Sequence, residues 1–86
     1  MGSRYSQESI DLFVRHVGDK FDGAVVPNDA ATIAIGVCTA FDKSPKSALR
    51  DFTNKAMSNG MERDQADFMV RTAVKDVCPH HLQDLF

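Results

Sequence analysis

What this 86-residue chain lacks most is an excess of charge. Ten Lys and Arg stand against twelve Asp and Glu, for a formal net charge of −2. Duplex nucleic acid is bound through a basic excess that neutralises phosphates, so no nucleic-acid partner is expected. Long apolar runs are missing as well, and none approaches the ~20 residues needed to span a bilayer. There is no glycine-rich phosphate loop and no carboxylate pair that marks a cleft. The chain is therefore expected not to be an enzyme and to take no cofactor. Strand-like alternation, internal repeats and low-complexity stretches are also absent. Cysteine is scarce, with only Cys38 and Cys78.

The hydrophobic fraction is 43%, with six Phe, which suits a globular core and argues against disorder. The length allows one small domain. A chain of this size buries only roughly 60–65% of its unfolded surface, so its core is marginal and a covalent brace would help. The opening Met1-Gly2-Ser3-Arg4-Tyr5-Ser6 is polar and does not have the form of a secretory leader. Met1-Gly2-Ser3 reads as a tag remnant, and a native leader is expected to have been removed. The same six residues fit the loose Met-Gly-x-x-x-Ser myristoylation pattern, a weaker reading. Residues 1–5 are assigned as a tag-like or disordered N-terminus and residues 6–86 as a single helical domain.

Periodicity predicts four helices. The first runs from about Ser6 to Lys20, with Ile10, Phe13, Val14, Val17 and Phe21 on one face and Asp11 and Arg15 as an i, i+4 pair outside. Gly18 and Gly23 are expected to weaken it and let the chain turn. The second runs from about Ala30 to Phe41 with Asn28 or Asp29 as N-cap. It is apolar on nearly every side, so it is expected to be surrounded at the centre, with Gly36 and its alanines letting neighbours approach closely. Ser44-Pro45 marks the third start, with Ala48, Leu49, Phe52 and Ala56 inside and Asn59-Gly60 as the stop. The fourth runs from about Arg63 to Val77, with Ala66, Met69, Val70, Ala73, Val74 and Val77 on one broad face, and Pro79 ends it. The class is all-α, a compact four-helix bundle-like domain with short loops.

Each cysteine falls near the apolar end of a predicted helix, which suggests a staple between two helices and hence an oxidising compartment. Two alternatives remain open on the residues alone. The pair could be free buried thiols in a cytosolic core, acting as small hydrophobes. Cys78, His80 and His81, completed by Cys38 or His16, could instead hold zinc. The spacing lacks a compact Cys-x-x-Cys pair, so no metal ligand is assigned, and the adjacent histidines read as solvated. Nucleophilic cysteine is disfavoured, because burial and a helix C-terminus both oppose the thiolate. His16 reads as a surface or boundary residue.

Two surface features could meet a partner. Lys43, Lys46 and Arg50 fall at i, i+3, i+7 as a short basic stripe suited to an anionic partner or lipid head groups, diluted by Asp42 and Asp51. Leu82, Leu85 and Phe86 repeat at i, i+3, i+4, and their last turn either covers the bundle end or presents an apolar contact. A helix-turn-helix reading of the last two helices fails on charge, since Glu62, Asp64 and Asp67 would repel phosphates.

Taken in order, these residues resemble a known family. An Ala/Ile-rich helix ends in Val37-Cys38 with Phe41-Asp42 at its turn, followed by a Ser-Pro helix start. Gln65-Ala66-Asp67-Phe68-Met69-Val70, Ala73-Val74 and Cys78-Pro79 follow. The set is similar to the actinobacterial domain of unknown function 732, over about residues 29–79. The resemblance implies a small exported or lipid-anchored mycobacterial protein whose cysteines form one disulfide. That family has no established catalytic residues, so none is carried over. The expectation is a non-enzymatic, exported interaction module with an unknown protein partner, peripheral envelope association allowed and oligomeric state open. It would be cytoplasmic if the cysteines are reduced. The runner-up is a small-ligand or lipid carrier, which needs a preformed apolar pocket of some hundreds of Å3, one that a chain this short can scarcely enclose as a monomer. A metal-binding domain is the third class.

Overall fold

The computed structural model describes residues 5–85. Residues 1–4, grouped above with a tag-like N-terminus, and Phe86 lie outside that range. Tyr5, grouped with them from the sequence, packs against the edge of the core. Four α-helices follow: α1 (Gln7–Phe21), α2 (Pro27–Lys43), α3 (Ala48–Ser58) and α4 (Arg63–Asp76). A terminal 3-10 segment spans Pro79–Leu85. Among the described residues there is no strand, and no helix is long and apolar enough to cross a membrane. The domain is all-α.

Local chemistry explains most boundaries and corrects three. Ser6 caps α1, its Oγ accepting from the Ser9 N–H at 3.1 Å. Gly18 does not break α1, because a single helical glycine costs only about 1 kcal/mol and the apolar stripe continues across it. The turn comes later, where Asp22 (φ 55°) and Gly23 (φ 75°) are left-handed and the Gly23 N–H donates to the Gly18 carbonyl at 3.0 Å. Helix α2 begins at Pro27, three residues ahead of expectation, with Val26 as N-cap. Proline lacks the N–H that a first turn would leave unpaired. That helix also runs past Phe41 to Lys43, and the Ser44 N–H still donates to the Ala40 carbonyl at 2.9 Å. Ser44 thus closes α2, and α3 starts only at Ala48, after a linking turn over residues 44–47. Gly60 (φ 97°) ends α3 as its sequence position predicts.

The larger correction concerns the centre. Helix α4 packs more extensively than α2 on the rest of the domain, taking α3 and the terminal segment as main partners besides α1 and α2. Its Ala66, Met69, Val70, Ala73 and Val74 are all buried. Helix α2 buries Ala30, Ala34, Val37, Cys38 and Phe41, yet leaves Thr32, Ile35, Gly36 and Thr39 exposed. Composition alone could not show this, because α3 leans on α4 and only grazes α2. Phe13 and Phe41, both fully buried, fill the space between α1, α2 and α4 with Val17, Val37, Met69, Val70 and Val74. Inside that core the Cys38 and Cys78 sulfurs lie at 2.09 Å, with Cα atoms 6.0 Å apart. Both residues are fully buried. The bridge joins α2 to the residue just beyond α4.

Closing a loop with a sequence separation of 40 restricts the unfolded chain, an effect of about 4 kcal/mol in the chain-entropy model. Replacing both cysteines by alanine (C38A/C78A) is therefore expected to lower the unfolding free energy by about 3–4 kcal/mol in urea denaturation. Non-reducing alkylation with intact-mass measurement should find no alkylated cysteine in the parent. A double variant as stable as the parent would show that the bridge does not support the fold.

Candidate functional site

Three chain segments meet at a polar cluster built around His81. Pro79 cannot continue α4, and the His81 N–H donates to the Cys78 carbonyl at 2.9 Å, closing the first 3-10 turn. In a 3-10 segment, residues three apart lie over one another, so Asp84 falls beside His81. Its Oδ2 lies 2.8 Å from His81 Nδ1. On the other side His81 Nε2 lies 2.7 Å from Oδ1 of Asp42, in the last turn of α2. The Tyr5 hydroxyl donates to Oδ2 of the same carboxylate. His80 stands alongside, its Nε2 3.8 Å from Asp42 Oδ1 and its ring 4.3 Å from that of His81. The inner face of the His81 ring rests on Phe41, at 5.6 Å.

The His81 side chain is only 12% exposed. Burial alone would lower its pKa, but the hydrogen bonds and charges of Asp42 and Asp84 outweigh burial and hold it above the ordinary histidine value. Only the imidazolium can donate from both nitrogens, so the geometry and the shift agree. The sequence reading of two solvated histidines therefore holds for His80, at 59% side-chain exposure, and fails for His81. The i, i+3 spacing of His81 and Asp84 was a usable signal. Asp42, 39 residues away, left none.

A second feature is an apolar groove of about 440 Å3 between α2 and α3, floored by Ile33, Gly36, Ala40, Phe52, Ala56 and Met61. It exists because α3 follows α4 and diverges from α2. Gly36 was expected to admit a close neighbour, but a Cβ built there would meet nothing within 4 Å. Lys55 and Asp51 stand at the rim. Asp51 pairs with Arg50 at 3.7 Å, whereas Lys55 has no ion-pair partner among the described residues.

The basic stripe read from sequence is divided among three elements. Lys43 ends α2, Lys46 sits in the linking turn and Arg50 lies on α3. Lys46 and Arg50 share a shallow depression with Arg63, Arg71 and the acidic Asp64, Asp67 and Asp84, so the surface is of mixed sign. The tail is divided too. Leu85 packs against the core, Leu82 is 40% exposed, and Phe86 lies outside the described residues. His16 is a boundary residue whose Nδ1 meets Oδ2 of the buried Asp76 at 2.7 Å, tying α1 to the end of α4. The zinc set drawn from sequence does not assemble, because Cys38 and Cys78 are joined to each other and His16 is committed to Asp76.

A family model described as protein of unknown function (DUF732) matches residues 11–80. No curated protein and no solved structure matches the chain.

A raised histidine pKa gives a defined pH signature. The stability that His81 confers is fully present below its unfolded pKa near 6.5 and is lost as pH rises through the higher folded value. The groups facing it are Asp42, Asp84, His80 and, through Asp42, Tyr5. Urea denaturation across roughly pH 6 to 9 should show the parent losing stability on the alkaline side, and His81→Gln should flatten that slope. Equal slopes in the two proteins would mean that the cluster does not hold His81 in its charged form.

Proposed function

The chain belongs to the DUF732 family, and from that premise we propose that it is a small non-enzymatic binding module. It receives the aliphatic chain of an anionic amphiphile in the groove between α2 and α3. The apolar groove carries the reading, and Gly36 keeps its floor open. A glycine inside a helix costs roughly 0.5–1 kcal/mol relative to alanine, and at this position a side chain would clash with nothing. Helical Gly18 meets nothing within 4 Å either, so the open position alone is not special to Gly36, and it is the apolar lining around it that supports the reading. The condition set from the sequence for a ligand carrier was a preformed apolar pocket of some hundreds of Å3, and about 440 Å3 meets it. Lys55, at the rim and without an ion-pair partner among the described residues, supplies a counter-charge for a carboxylate or other anionic head group.

An oxidising compartment suits the buried bridge, since cytosolic thiol buffers reduce such pairs. Export and peripheral association with an envelope belong to the same reading. The interaction module with a protein partner is its rival, and exposed Leu82 is the residue that favours it.

Laurate is a suitable probe. Eight methylenes seated at about 0.8 kcal/mol each correspond to a dissociation constant of roughly 10–100 μM. Isothermal titration should find binding in that range for the parent. Gly36→Leu should lose it at least tenfold without a lower melting temperature, because leucine favours the helix and fills only the groove. Lys55→Glu should weaken laurate several-fold and leave dodecanol unchanged. No laurate binding by the parent, or undiminished binding by Gly36→Leu, would exclude the groove and return attention to a protein partner.

A further inference from the structure

We propose that Asp42, His80 and His81 form a binding site for a divalent transition-metal ion of the zinc type. This site is separate from the α2–α3 groove and does not depend on it. One carboxylate oxygen and one ring nitrogen from each histidine lie within 4.8 Å of one another. Asp42 Oδ1 is 2.7 Å from His81 Nε2 and 3.8 Å from His80 Nε2. Ligands of a tetrahedral zinc ion, at about 2.0–2.1 Å from the metal, stand roughly 3.3 Å apart. Of the two carboxylate–imidazole distances, one must open and the other close by about half an ångström. The two imidazole nitrogens, within 4.8 Å of each other, must also approach, all by side-chain rotation. His80, exposed and held by no short hydrogen bond among the described residues, is the group able to make that adjustment.

A second observation points the same way. Histidines that ligate metals commonly give their other ring N–H to a carboxylate, which fixes the tautomer and aims the free nitrogen at the ion. Asp84 stands in that position, 2.8 Å from His81 Nδ1, while Nε2 faces Asp42 and His80. A bound ion would take the place of the proton that Nε2 gives to Asp42 Oδ1, releasing it to solvent. Tyr5 does the equivalent for Asp42. It donates to Oδ2, while Oδ1 lies near both imidazoles. The supporting contacts are thus formed around the three ligands without a metal. The exposed His80 edge gives an entry path, and solvent can fill the fourth position.

Two nitrogens and one oxygen suit zinc, nickel, cobalt or copper. Magnesium and calcium require a shell of oxygens. The ligands differ from the cysteine-containing set considered from sequence, because the bridge removes both sulfurs and places the histidines against Asp42 instead.

Zinc chloride titrated into chelator-stripped, tag-free protein tests the site. The parent should bind one equivalent with a dissociation constant below about 10 μM, and its melting temperature should rise by mass action. His80→Ala should cut affinity at least tenfold while melting close to the parent in EDTA, since that exposed side chain makes only a 3.8 Å contact with Asp42 and a ring contact with His81 in the apo fold. Asp84→Asn should weaken zinc by roughly 10–100-fold, as supporting carboxylates do. His16→Ala should bind like the parent. Parent affinity weaker than 100 μM, His80→Ala binding zinc as the parent does, or magnesium binding as tightly as zinc would each overturn the assignment.

Discussion

The bridge between Cys38 and Cys78 ties the C-terminal half of α2 to the point where α4 ends, in a core with no solvent access. Each cysteine stands one turn ahead of a charged partner. Asp42 follows Cys38 by four residues on an α-helix, and His81 follows Cys78 by three in a 3-10 turn. One covalent link thereby sets the register at which a carboxylate of α2 meets an imidazole of the terminal segment. That segment buries no residue completely. It depends on the bridge at its start and on Leu85 and the His81 contacts along its length. A domain this small has little core to spare, so a link joining three elements matters more here than in a larger protein.

From the bridge outwards, the two surface features have opposite physical characters. The His81 cluster is half-buried with His80 exposed at its edge, and its hydrogen bonds run from Tyr5 through Asp42 and His81 to Asp84. In such an environment paired groups polarise one another and hold a single arrangement. The groove is open and apolar, with Gly36, Ala40 and Ala56 leaving room between Ile33, Phe52 and Met61. Its shape follows from the partner that α3 prefers. Helix α3 turns its buried Ala48, Thr53 and Ala56 inward, packs mainly on α4 and leaves Phe52 half-exposed at the groove. The gap is thus a consequence of how three helices divide the surface of a fourth.

Much of the fold was legible. The stripes of α1 and α4, the Gly60 stop and the start of α4 at Arg63 all follow from rules acting within about four residues. The failures have physical causes. Asn28 and Asp29 are good caps, but the preceding Pro27 begins a helix at no cost in hydrogen bonds. Ser44-Pro45 is a good start signal, but Ser44 was already used to end α2. Lys43, Lys46 and Arg50 share a face only if one helix carries all three, and two helices and a turn carry them. Leu82 and Leu85 have the same apolar character, yet only Leu85 reaches the core.

By itself the sequence determined an all-α class, four helices, an apolar core and two cysteines at helix ends within a DUF732 pattern. Those properties rest on local hydrogen bonding and on the period of apolar residues, which each stretch of chain carries alone. Tertiary structure decided that α4 is the centre, that α2 keeps a solvent face, and that Gly36 floors a groove. It also decided that His81 lies between Asp42 and Asp84 instead of in water. Each of these depends on which faces meet. Helix faces of similar apolar character compete for the same partner, and only the packing of the whole domain settles which of them is covered.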